Sequence, residues 1–101
     1  MRSVINRKLN LNNVNNINFQ VGFEQNTFNS PEGTGVWYIS GVSAGAPNNA
    51  KQWGMLFQMR SPKSLHPATR HAVYSQLFVS VYGNVWSRLF NNNAWTAWKE
   101  L

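Results

Sequence analysis

Residues 85–101, VWSRLFNNNAWTAWKEL, constrain the fold more than any other stretch of the chain. One apolar run, from Val85 and Trp86 to Leu89 and Phe90, meets a second, Trp95 to Trp98, across Asn91, Asn92 and Asn93. Asn accepts positive φ more readily than most non-Gly residues, and its amide can bond nearby backbone. An Asn run between two apolar runs therefore predicts a β-hairpin. Three of the five Trp residues of the protein lie here. Trp95 and Trp98 are three positions apart. Side chains of a regular strand alternate between faces, so both rings can enter one core only if the strand bulges or bends between them.

The same period of two recurs upstream. Phe19, Val21 and Phe23 alternate and predict a strand over residues 19–23. Pro31, Gly33 and Gly35 then punctuate a loop over 24–35. Residues 36–42 are dense in β-branched and aromatic side chains and predict a second strand. A third follows over 52–59, with Trp53, Met55, Phe57 and Met59 on one face and Gly54 marking a bulge or a close neighbour. Residues 60–71 form a polar connection with two prolines. A fourth strand spans 72–82, with Val73, Leu77, Val79 and Val81 opposite Tyr74, Gln76, Phe78, Ser80 and Tyr82. Apolar residues on both faces predict a central strand, or one face covered by a partner. The closing hairpin supplies strands at 85–90 and 94–99. The expected fold is mostly β, a small antiparallel sheet or sandwich, with a short helix between Leu11 and Ile17. Residues 1–8 read as a linker or disordered end, and 9–101 as a single domain.

Composition narrows the function classes. The 101 residues include nine Lys and Arg, three Glu, no Asp and no Cys. Glycoside hydrolysis normally needs a carboxylate pair, and a Ser-His-acid triad needs an acid to orient its His. Neither set is in view, because Glu100 stands beside the C-terminal residue and His66 and His71 sit in a Pro-bounded loop. Two His without Cys or Asp match no closed metal site. The chain therefore reads as non-enzymatic, with no metal and no cofactor. No run of about 20 apolar residues is available to cross a membrane, and the first residues show no signal-peptide h-region.

Two binding classes remain. Basic charge interleaved with aromatics is a footprint of single-stranded nucleic-acid binding. The cations are scattered, however, and no three share a strand. The other class is a structural or adhesive module. The order of features resembles the knob domains of R-type pyocin fibres and related bacteriophage tail fibres. The matching pieces are Leu9-Asn10 or Leu11-Asn12, Gly22-Phe23, Asn29-Ser30-Pro31, Gly35 with the strand after it, Gln52, Arg88, the Asn91 to Asn93 turn, and Trp95-Thr96-Ala97-Trp98-Lys99. The closing phrase is the most specific of these, and the likeness covers roughly residues 9–101. The family's Asn-Gly before the first Trp is Asn93-Ala94 here.

The resemblance implies a homotrimer built into a fibre with other fibre segments, carried outside the cell on a virion-like particle. It implies a role in assembly or in contact with the host surface, including bacterial surface polysaccharide. A glycan contact would draw on rings for C–H faces and on amides for hydroxyls. The candidates are Trp53, Trp86 and Trp95 beside Asn91, Asn92 and Asn93, with Arg88 on the same hairpin. Alternatively these rings fill the core or an oligomer interface, the role foreseen for Trp95 and Trp98.

Overall fold

A computed structural model describes residues 19–61 and 73–101. The expected helix near Leu11, the linker 1–8, and His66 and His71 lie outside those residues. The rest is a single seven-stranded sheet: β1 (Phe19–Glu24), β2 (Thr34–Val42), β3 (Gln52–Arg60), β4 (Tyr74–Ser80), β5 (Val85–Asn91), β6 (Ala94–Trp95) and β7 (Lys99–Glu100). Its order follows the chain, and β6 and β7 both pair with β5. Because β4 occupies the other side of β5, they form one interrupted edge strand. A 3₁₀ turn, Pro47–Asn49, is the helical element among the described residues.

The mostly β expectation is met: of the sheet or sandwich expected, the protein forms a single sheet, antiparallel except that β1 runs parallel to β2. That pairing has a structural consequence. A parallel connection must return the chain to the starting end of the sheet. Residues 25–33 make this return across one face and lay Phe28 on it, fully buried. The 43–51 connection joins them there: Phe28 N donates to the Ala44 carbonyl at 2.9 Å, and Thr27 Oγ1 to the same oxygen at 3.2 Å. These loops take the place of a second layer. Phe28, Val42 and Ala46 pack with Ile39, Leu56, Phe78 and Trp86 in one core cluster.

Ile39 and Val42 are both buried although they are three apart. Gly41, at φ 64°, is the extra residue of a bulge that shifts register between Ser40 and Val42. Gly tolerates this conformation, and the bulge turns Val42 inward. Gly54 meets a close neighbour, as its sequence context predicts: a Cβ there would run into the Val79 carbonyl oxygen.

The hairpin at 91–94 forms without its Gly. Asn92 and Asn93 take φ of 54° and 62° between the paired residues Asn91 and Ala94. Positive φ at both central positions is the turn that matches strand twist. The bend that would let Trp95 and Trp98 share a face is also present. The Thr96 hydroxyl accepts from Leu89 N at 3.0 Å while Thr96 N donates to the Leu89 carbonyl at 2.7 Å. One side chain stands in for a ladder partner, and the strand resumes at Lys99.

Candidate functional site

Cross-strand pairing builds three successive rungs on the covered face. The innermost is apolar: Leu56, Phe78 and Trp86 pair in register. The next is polar: Gln58 pairs with Gln76, and Gln76 with Arg88. The outermost is Arg60, Tyr74, Phe90 and Trp95.

The polar rung is buried and bonded throughout. Arg88 Nε donates to Gln76 Oε1 at 2.7 Å. Gln76 Nε2 donates to Gln58 Oε1 and to the Phe28 carbonyl, both at 2.8 Å. Gln58 Nε2 donates to the carbonyls of Pro31 at 2.8 Å and Gly33 at 2.9 Å. Arg carries donors only, so it sets the direction of the whole chain. Gln76 must turn its oxygen to Arg88 and its amide to Gln58. Gln58 must then turn its amide to the loop. The relay holds the 25–33 crossover on the sheet by its own backbone oxygens. No buried polar side-chain atom lacks a partner among the described residues.

Arg88 lies between two indoles. Its guanidinium carbon is 3.8 Å from the Trp95 ring centre and 4.4 Å from that of Trp98. Its Nη2 donates to Asn29 Oδ1 at 2.8 Å. Burial lowers Arg88 to about 10, which leaves it charged at neutral pH. Two aromatic faces and two amide oxygens take the place of a carboxylate, an arrangement in which a desolvated cation is held by ring quadrupoles. Trp98 also donates from Nε1 to the Gly45 carbonyl at 2.8 Å and meets Phe28 edge-on.

Beyond Arg88 the outer rung forms an aromatic cluster. Phe90 and Trp95 centre 5.1 Å apart, Tyr74 and Phe90 5.7 Å, and Tyr74 and Trp95 6.4 Å, all edge-to-face. With Asn29, Pro31 and Glu32 from the crossover they line a cavity of about 170 Å³.

The site expected from sequence is thereby redrawn. Trp86, a candidate surface ring, is 7% exposed and stacked on Phe78 in the core, so it cannot meet a ligand. Arg88 is equally buried and acts through the rings and amides around it. Trp53 is half-buried on the opposite face, away from the cluster. Asn91, Asn92 and Asn93 are exposed, and the last two form the turn itself. Trp95 does line the cavity, while Trp98 packs against the core. Sequence reasoning did not single out Gln58 or Glu32, nor assign a site role to Tyr74, Gln76, Asn29 or Phe90. A signal for the polar rung was available. Gln58, Gln76 and Arg88 each stand two positions from a large apolar residue on the same face: Leu56, Phe78 and Trp86.

The opposite face of the sheet is different in kind. Val21, Phe23, Tyr38, Met55, Phe57, Leu77 and Leu89 are exposed there. From β1 to β5 its positions carry no charged side chain. No family model, curated protein or solved structure matches this chain.

Proposed function

We propose that the chain is a non-enzymatic structural and adhesive module of a phage-like or pyocin-like tail fibre. Three copies pack around the fibre axis through the open sheet face, and the loop-covered face looks outward toward the host surface. The observation that carries this reading is the open face. Phe57 is 41% exposed while its neighbour Leu56 is fully buried, and the contrast repeats along β3 and β4. Large contiguous apolar patches mark interaction surfaces. A face free of charge suits a copy of itself, because an isologous or ring contact then sets no like charges against each other. The groove between Phe19, Met59, Phe57 and Leu77 offers a place for side chains of a neighbouring copy. The sequence likeness of the closing phrase, residues 91–101, supports the fibre assignment.

The nucleic-acid alternative gains little from this arrangement. The exposed rings Phe23, Tyr38 and Phe57 lie on a face where, among the described residues, the one cation carried by a paired strand is Lys99 on β7. Backbone neutralisation by Lys and Arg supplies most of the affinity in such complexes. Light scattering with sedimentation velocity tests the reading. The chain should run at three times its own mass, and Phe57→Glu or Leu77→Glu should return it to a monomer. A wild-type chain that stays monomeric at all concentrations would overturn it. A shift with single-stranded DNA that disappears with salt would favour the alternative.

A further inference from the structure

We propose that the cavity between the 25–33 crossover and the outer rung of the sheet is a binding site for one neutral sugar ring. The inference rests on the adhesive half of the function proposed above and supplies its ligand class.

Size sets the first limit. A cavity of about 150 Å³ admits one benzene ring, and this one holds about 170 Å³. It therefore has room for one six-membered ring, and because it opens to solvent the neighbouring residues of a longer glycan can stay outside. Its walls set the second. Tyr74, Phe90 and Trp95 supply apolar surface suited to the C–H face of a sugar, and Pro31 closes the side. The rim offers both hydrogen-bond senses. Asn29 Oδ1 accepts from Arg88, which leaves its Nδ2 as a donor with no partner among the described residues. Glu32, exposed on the loop, supplies the acceptor. A hydroxyl both donates and accepts, so adjacent hydroxyls can use both groups.

Charge excludes the other small ligands. Aromatic rings beside a carboxylate otherwise suit a quaternary ammonium ion. Here Arg88 already covers Trp95 and Arg60 lies 5.9 Å from the Tyr74 ring centre, so both rings carry a cation. An anion would face Glu32, and the Arg88 charge that could attract it is buried and already held by Gln76, Asn29 and two rings. A neutral polyhydroxy ring meets neither penalty. The site is also preorganised, because the Gln58 and Gln76 amides hold the loop carbonyls around Asn29, Pro31 and Glu32. Less loop ordering is then left for binding to accomplish.

The test is an NMR titration of the full chain with neutral monosaccharides, namely glucose, galactose, mannose, rhamnose and N-acetylglucosamine. Choline chloride and sodium sulfate serve as cation and anion arms. At least one sugar should shift the Asn29 side-chain amide and the Trp95 indole N–H, with a Kd on the order of 1 to 10 mM. The shift should persist in high salt, since no charge pairing is involved. Tyr74→Ala should weaken binding roughly tenfold, as loss of a stacking ring does. Glu32→Ala, an exposed loop change that leaves the fold intact, should weaken it severalfold, while Glu32→Gln keeps an acceptor and most of the affinity. The proposal is overturned if no sugar shifts these residues at tens of millimolar, if both Ala variants bind as well as the parent, or if choline binds in preference and is lost in Glu32→Gln. Phe57→Glu should leave sugar binding unchanged, so failure of self-association and failure of sugar binding are read separately.

Discussion

The two faces of this sheet meet opposite solutions to the same problem. The covered face buries Gln58, Gln76 and Arg88 beside Leu56, Phe78 and Trp86. It tolerates them because every amide proton of the relay has an acceptor, most of them loop carbonyls. The open face is the more apolar of the two, and no loop among the described residues runs over it. Polarity alone therefore does not say which face is inside. A polar rung can be the inner one when it supplies the bonds that bring a covering loop onto the sheet. An apolar face remains outside when the 25–33 and 43–51 connections run over the other side.

The largest disturbance of the covered face is removal of its apolar plug. Phe28→Ala should cost about 3–5 kcal/mol in urea unfolding, the usual cost of deleting a buried ring. A cost below about 1 kcal/mol would show that the crossover contributes little to the core.

Next is the relay. Gln76→Leu orphans Arg88 Nε, Gln58 Oε1 and the Phe28 carbonyl, and should cost about 3 kcal/mol. Adding Arg88→Met removes the stranded donor as well. The double variant should therefore lose less than the sum of the two single losses, by roughly 1 kcal/mol. Strict additivity would mean that the rung is three separate contacts rather than one directed chain.

A smaller effect tests the turn that sets Trp95 over Arg88. Asn93→Ala should cost about 1 kcal/mol, because left-handed backbone is unfavourable for residues with a Cβ and no compensating side-chain amide. Asn93→Gly should fall within about 0.5 kcal/mol of the parent, Gly being at home in this turn. Thermal unfolding of both variants gives the comparison.

The smallest effect on chain stability belongs to the open face. Phe57→Glu should change monomer stability by no more than about 0.5 kcal/mol, as exposed substitutions do, and yet abolish self-association by light scattering. A large loss of monomer stability would show that the face is internally packed after all.

What the chain determines locally was legible. Alternation, β-branched and aromatic density and the Asn turn marked the strands at 36–42, 52–59 and 85–90 nearly at their observed bounds. The Asn run announced its turn, and the three-residue spacing of Trp95 and Trp98 meant that the rings could share a face only through a bend, which is found at Thr96. These features depend on backbone sterics and on neighbours a few residues away. Which face would be covered was decided by the parallel pairing of β1 with β2, a contact that no local period encodes. That pairing carries Asn29 across the sheet to Arg88, 59 residues away in sequence, and Phe28 to Gln76, 48 away. Trp86 and Arg88 were read as surface candidates because alternation places two residues on one face without saying what lies over it. Burial depends on the covering loop, and the loop's position depends on hydrogen bonds that exist only once β3, β4 and β5 stand in register.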